Sequence, residues 1–362
     1  MKKALDEHIK ELEMMAVVKE KPEKGFVFKK VKISTDLKDQ EVLIKIKSVS
    51  FCGTDSHIYN YDHWAETHLN LPLIVGHEFS GEIIKMADDV KGLKIGDVVS
   101  AETHIICNEC EFCLRGEGHI CENTEIIGVD RDGCFARYIK IPAANCIVNN
   151  DAKNDLYLSV QEPLGNAVHT VTHFDVKDKS VVILGCGPIG LMGIDVAKAY
   201  GAKQVIAIEV NEFRQNLAKE LDADLVINPI NEDVYQKVME ATHGKGVDVV
   251  CDFSGNKGAI ELAFKYIKAG GGMSLLGLPN ENISIDLAND VVFKGLNIYG
   301  VVGRRIYETW DKVKYLVSND LLHFDKFVTH QFPLSQISQA AEVMNGKNCG
   351  KIILIPGDDI DE

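Results

Sequence analysis

The stretch that most constrains this chain is Ser180-Val181-Val182-Ile183-Leu184-Gly185-Cys186-Gly187-Pro188-Ile189-Gly190. Four β-favouring apolar residues lead into a Gly-x-Gly-x-x-Gly turn, and a helix-forming run, 191–200, follows it. In such a unit the first glycine permits the tight turn, the second lets a pyrophosphate approach the backbone, and the third lets helix and strand pack. The helix N-terminus offers free N–H groups and a partial positive charge to phosphate. A second β-favouring run, 204–208, ends at Glu209, 24 residues after Gly185, close to where a ribose-binding carboxylate belongs. A glycine-rich turn alone is often structural, but between these two strands it predicts a dinucleotide site.

The pattern around this motif alternates strand and helix. Strands are expected at 181–184, 205–208, 225–227, 247–252, 273–276 and 297–299, with helices at 212–221, 233–243 and 259–267 between them. Six strands joined by crossovers form a doubly wound parallel sheet, a Rossmann domain assigned to residues 164–303. Residues 1–163 read differently: short alternating runs such as Glu41-Val42-Leu43-Ile44-Lys45-Ile46-Lys47, punctuated by glycine and aspartate, predict a mainly-β domain, with residues 1–14 as a charged helical extension. Residues 304–362, with amphipathic helices at 308–317 and 335–344 and a strand at 351–355, are expected to return to the first domain. The fold class is α/β.

Two domains suit 362 residues. Asp and Glu outnumber Lys and Arg by 54 to 39, a formal net charge of −15, which disfavours nucleic acid and anionic membrane as partners. With no signal-peptide pattern and no apolar run long enough to span a bilayer, a cytoplasmic location is expected. Ten cysteines in such a chain favour metal ligation for the clustered ones and core packing for Cys134, Cys146, Cys186, Cys251 and Cys349.

The cluster is Cys107-x-x-Cys110-x-x-Cys113-x7-Cys121. Four thiolates this close can surround one tetrahedral zinc and leave no open position, the pattern of a structural site. A dispersed set comprises Cys52 in Cys52-Gly53-Thr54-Asp55-Ser56-His57, the pair His77-Glu78 after Gly76, and Glu162. Cysteine, histidine and carboxylate can hold a zinc while leaving a position open to water or an alcohol, although a histidine in an apolar run is more often a packed core residue. Thr54 and His57 offer a hydroxyl–imidazole path to solvent; the bland alternative is a turn residue and a surface histidine.

Cys52-Gly53-Thr54-Asp55-x-His57, Gly76-His77-Glu78, the four-cysteine lobe and the glycine motif, in that order, resemble the zinc-dependent medium-chain dehydrogenases over residues 15–356. The resemblance implies a GroES-like catalytic domain made from both chain ends around a Rossmann domain, and a homotetramer. It implies two zinc ions per chain: a catalytic one held by Cys52, His77 and Glu78 with Glu162 beside it, either as a ligand exchanging with water or as a proton-transfer group, and a structural one held by Cys107, Cys110, Cys113 and Cys121. It also makes Thr54 and His57 a charge-relay pair, His104 a substrate-side histidine, and Ile189, Glu209, Arg214, Leu276, Gly277, Leu278, Val301 and Val302 the lining of an NAD site. The strings 57–65, 165–170 and 303–310 resemble those members that oxidise the side-chain hydroxyl of L-threonine to give 2-amino-3-oxobutanoate. The alternatives are the same chemistry on another secondary alcohol, a polyol or butanediol, or a non-catalytic cofactor-binding protein of this fold.

Overall fold

In the computed structural model, which describes residues 9–151 and 154–357, the chain divides into two compact units. One takes the described residues up to Pro163, with His330–Lys347 and the residues from Lys351 onward; the other takes Leu164–Thr329 and Asn348–Gly350.

The first unit is mainly β. Its seven-stranded sheet is built around Glu41–Phe51, which pairs antiparallel with Glu78–Met86, Tyr138–Pro142 and Lys351–Ile355. The alternation in the sequence reads through to burial: Ile44 and Ile46 are fully buried while Lys45 and Lys47 between them are half-buried. Val98–Ala101 and Cys146–Val148 extend the sheet beyond Glu78–Met86. A three-stranded sheet joins Val27–Ser34, Glu11–Lys19 and Leu73–Ile74.

The expected helical extension at 1–14 is corrected in part. Residues 1–8 lie outside the described residues, but Glu11–Met14 begin a strand that pairs in register with Met14 opposite Val31. Met14 and Ala16 are buried on one face, so the run to Lys19 is stabilised by cross-strand packing that local charge patterning does not reveal.

In the second unit six parallel strands lie in the order Leu225–Ile227, Gln204–Ile208, Ser180–Leu184, Val247–Asp252, Ile267–Leu275, Asn297–Gly300. The inner strands are unbroken apolar runs because a parallel sheet is covered by helices on both faces. Helices start where the sequence supplies caps: Asn211, Asp233 and Asn256 each accept a backbone N–H two or three residues into the helix that follows. The helix after the glycine turn begins at Pro188, earlier than the apolar run suggested, since proline at the first helical position needs no N–H partner.

The second unit runs on to Thr329, beyond the expected 303. Arg304 is 1% exposed and donates to Asn166 Oδ1 at 2.9 Å; Gly165 makes room for it, since a Cβ there would lie 2.4 Å from Arg304 Cδ. Glu308–Ser318 then buries Trp310, Val313 and Leu316, and Asp195 on the helix after the glycine turn accepts from His323 N and faces its Nδ1 at 2.7 and 2.9 Å. Among the described residues no helix is long and apolar enough to cross a membrane.

Candidate active site, metal centres and dinucleotide cleft

Cys52 caps the helix Gly53–Asn60, and Asp55, in that helix's first turn, accepts the Cys52 backbone N–H at 2.9 Å. This capping geometry fixes the thiol's direction. His77 and Glu78 enter at the start of the strand Glu78–Met86, and donor atoms of Cys52, His77 and Glu78 all lie within 4.8 Å of one another. Glu78 is fully buried, and its two oxygens differ. Oε2 accepts from the Ser50 hydroxyl and pairs with Lys351 Nζ at 2.5 Å, whereas Oε1 has no hydrogen-bond partner. His77 Nδ1, 3.8 Å from Asp55 Oδ1, is likewise buried without one.

Unpartnered buried polar atoms are costly, and Glu78 Oε1 beside the Cys52 thiol and the His77 ring makes a donor set that fits a cation. The electrostatics agree. Burial alone would strip His77 of a proton, yet the surrounding Cys52, Asp55 and Glu162 outweigh it and raise its pKa to about 10. Burial pushes Asp55 up to about 6 against the pull of His77. Lys351 is also fully buried, which opposes its charge, but Glu78 and Cys52 hold its pKa above the ordinary lysine value. The pocket is thus rich in acids, and a zinc ion would supply the missing positive charge.

In the lobe, the four cysteines of 107–121 come together. Sulfur–sulfur distances are 4.0 Å for Cys107–Cys113, 3.9 Å for Cys110–Cys121 and 3.5 Å for Cys107–Cys121. Four sulfurs bound to one tetrahedral zinc at about 2.3 Å lie about 3.8 Å apart, whereas a disulfide needs about 2.05 Å, so the spacing fits the metal and not a bridge. Backbone N–H groups of Cys107, Cys110 and Asn123 point at sulfur at 3.3–3.4 Å. Such donors, led by those of Glu109 and Cys110, lower the Cys107 pKa to about 6. Of the five cysteines read as core residues, Cys134, Cys186, Cys251 and Cys349 are buried and Cys146 is half-buried.

A cleft of about 340 Å³ opens where the order of the parallel strands reverses, lined by Gly185, Gly187, Glu209, Arg214, Phe253 and Ser254 among others. Gly185 has φ +83°, which the tight turn needs. A Cβ on Gly190 would lie 1.9 Å from the Gly185 carbonyl oxygen, so this glycine is required by packing. Gly187 differs: its φ is −60° and the nearest atom to a Cβ would be Arg214 Nη1 at 3.9 Å. The space it vacates opens into the cleft and fits a close-approaching phosphate group. Glu209 is 6% exposed; its Oε2 accepts Cys186 N at 2.6 Å and its Oε1 accepts Asn211 N at 2.8 Å, which fixes the carboxylate at the cleft wall.

Residues 38–151 match the model of the alcohol dehydrogenase GroES-like domain, and residues 188–319 that of the zinc-binding dehydrogenases. The L-threonine 3-dehydrogenase of Caldanaerobacter subterraneus subsp. tengcongensis is 48% identical over 344 residues, covering 95% of this chain and 99% of its own. That of Bacillus subtilis strain 168 is 46% identical, again over 95% and 99%. The chain belongs to the L-threonine 3-dehydrogenase family of zinc-binding dehydrogenases. Among solved structures, the short chain alcohol dehydrogenase RspB of Escherichia coli CFT073 in complex with NADH superposes with a TM-score of 0.85 at 26% identity, covering 95% of this chain and 99% of that one.

The structure places the remaining residues expected for this dehydrogenase family as follows. Glu162 is 5% exposed at the start of the helix Gln161–Thr172 and acts electrostatically on His77 and Lys351, but it is not among the donors that lie within 4.8 Å of one another. Thr54 Oγ1 is 3.9 Å from Cys52 Sγ, and His57 lies three residues further along the same helix, exposed, with Nδ1 against Asp62 Oδ2. The Nδ1 of His104 lies 2.9 Å from Glu102 Oε1, which also accepts its backbone N–H. Ile189 sits in the first turn of the following helix, and Leu276, Gly277, Leu278, Val301 and Val302 just past the carboxyl ends of two outer strands, outside the 340 Å³ cavity itself, with Leu278 88% exposed. Sequence motifs give no separate role to Ser50, Lys351, Asp62 or Phe253-Ser254, and Asp55 stands only as a member of the Cys52–His57 string. Lys351 had a signal, a lone charge heading the apolar strand Lys351–Ile355.

Proposed function

We propose that the protein oxidises the side-chain hydroxyl of L-threonine to the ketone of 2-amino-3-oxobutanoate, with NAD accepting the hydride. The observation that carries this reading is the Cys52–His77–Glu78 set, a half-buried thiol beside buried His77 and Glu78 with Glu78 Oε1 and His77 Nδ1 unpartnered, in a chain 48% identical to an L-threonine 3-dehydrogenase. Cys52, His77 and Glu78 would hold a catalytic zinc, and Cys107, Cys110, Cys113 and Cys121 a structural one, two per chain. When bound, the catalytic ion supplies Lewis acidity that lowers the pKa of the substrate hydroxyl.

The chain's own residues handle the proton. Thr54, beside Cys52, and His57, exposed on the same helix, would pass it to solvent. Glu162, buried and outside the close donor set, is better suited to hold a proton than to serve as a fourth ligand. His104, held by Glu102, would face the substrate. Gly185, Gly187 and Gly190 would shape the pyrophosphate turn, and Ile189, Leu276–Leu278 and Val301–Val302 would border the rest of the cofactor. Glu209 would accept the ribose hydroxyls and repel a 2′-phosphate, which selects NAD. Arg214 lines the same cleft, with Nε on the Cys349 carbonyl at 3.2 Å, and its guanidinium is the group that would accommodate a 2′-phosphate, so the choice of NAD rests on Glu209.

The working form is a cytoplasmic homotetramer. In support, the edge strand Asn297–Gly300 carries an exposed Ile298 and follows exposed Leu287, Val292 and Phe293, an apolar surface suited to a second copy. The test is NADH formation over L-threonine, a butanediol and a polyol, each with NAD and NADP. L-Threonine with NAD should give the highest kcat/KM; a higher value for another alcohol, or equal turnover with NADP, overturns the assignment.

A further inference from the structure

Two short helices, Gly53–Asn60 and His63–His68, are joined by a turn in which Tyr61 has φ +50° and ψ +54°. Backbone N–H groups of Tyr61 and Asp62 return to carbonyls of the first helix, Ile58 at 3.2 Å and His57 at 3.4 Å, so the chain folds back on itself there. Asp62 therefore sits at the start of one helix and beside His57 of the other. Its Oδ1 accepts the backbone N–H groups of Trp64 and Ala65 at 3.1 and 3.2 Å, and its Oδ2 meets His57 Nδ1. The Trp64 ring lies 6.2 Å from that of His57, tilted by 54°, and stacks on His68.

We propose that Asp62 is a positioning residue for the proton relay: capping a helix with one oxygen holds the other where it selects which nitrogen of His57 is the base. The proposal rests on His57 being the relay histidine. An ionised carboxylate only accepts hydrogen bonds, so the nitrogen facing it carries the hydrogen. With Nδ1 protonated, a neutral His57 keeps its lone pair on Nε2, the nitrogen turned away from Asp62. Burial tends to raise the Asp62 pKa, but His57 and the two N–H donors hold the carboxyl below the ordinary carboxylate range, so it is an anion at neutral pH.

The discriminating variant is Asp62→Asn. Asparagine caps helices as well as aspartate, so the amide oxygen stays on Trp64 and Ala65 and the melting temperature should stay near wild type. Its NH₂ group then faces His57, Nδ1 must accept, and the ring proton moves to Nε2, where the relay needs a lone pair. Expected results are a drop in kcat of at least about 10²-fold, the lower end for a positioned acid–base group, with KM for L-threonine little changed. In ¹⁵N NMR of histidine-labelled protein, with the His57 signals assigned from His57→Ala, the ring should read Nδ1–H in wild type and Nε2–H in Asp62→Asn. Wild-type turnover in His57→Ala would remove the relay and this proposal with it. A crippled His57→Ala beside an Asp62→Asn that turns over normally and keeps Nδ1–H would overturn the role of Asp62 alone. So would an Asp62→Asn that loses activity only in step with its melting temperature and with no change of tautomer.

Discussion

Gly187 and Gly190, three residues apart in one turn, are glycine for different reasons, and alanine at each separates them. At Gly187 a methyl meets nothing closer than Arg214 Nη1 at 3.9 Å, and φ −60° suits any residue. Gly187→Ala should therefore change stability by no more than about 0.5 kcal/mol. At Gly190 the added Cβ would sit 1.9 Å from the Gly185 carbonyl oxygen, more than an ångström inside contact distance, and the obstacle is backbone. That places Gly190→Ala at the upper end of overpacking, about 3 kcal/mol, or roughly 6–12 °C in Tm. Cofactor binding should show the reverse selectivity. A methyl at 187 holds the pyrophosphate off the backbone and forfeits a charge-assisted hydrogen bond worth about 1.5–3 kcal/mol, so Kd for NADH should rise about 10- to 100-fold in a protein that melts normally. Fluorescence titration with NADH and scanning calorimetry on both variants read the two quantities. Unaltered NADH affinity in Gly187→Ala would refute the close approach, and an unaltered Tm in Gly190→Ala would refute the packing argument.

Cys110→Ser should lose about one zinc per chain and melt lower while the other zinc stays, because ligation energy is folding energy; full zinc content with unchanged melting contradicts a structural site. Glu162→Ala should keep its zinc and lose about 10²–10⁴-fold in turnover if it holds a proton, whereas a loss of metal with the activity identifies it as a ligand. Lys351→Met should destabilise the metal-free protein by about 3–5 kcal/mol by leaving Glu78 buried without its cation, read by denaturant unfolding; a change under 1 kcal/mol would mean that Ser50 alone suffices.

The architecture was legible because its signals are local. Each Rossmann strand is an apolar run that a parallel sheet requires, and each was placed to within a residue or two except the long Ile267–Leu275, whose first half follows the preceding helix without a break. The cysteine lobe was legible because its four thiols fall within fifteen residues. Elements stabilised at a distance were not. Glu11–Met14 reads as a charged helix until Val27–Ser34 is laid beside it. The run 304–329 reads as part of a return to the first domain until Arg304 is seen filling the space that Gly165 leaves. Around Cys52, His77 and Glu78, Lys351 comes from 273 residues beyond Glu78, a separation that no motif spans.

The carboxylates that these sites depend on share one physical device. Each spends an oxygen on the chain's own framework, and that anchoring fixes the aim of the rest of the group. Glu78 ties Oε2 to Ser50 and Lys351 and leaves Oε1 unpartnered beside Cys52 and His77. Asp55 accepts Cys52 N with Oδ2 and sets Oδ1 3.8 Å from His77 Nδ1. Glu209 is bound at both oxygens by the glycine turn and by the start of the next helix, so its charge at the cleft wall is part of the backbone geometry. Asp62 caps a helix with one oxygen and meets His57 with the other. A carboxylate on a free side chain would have to be ordered whenever metal, cofactor or substrate arrived, at a cost in conformational entropy. Here that ordering is already part of folding, through helix caps and strand ends, which would leave the binding energy of a metal or cofactor for the chemistry.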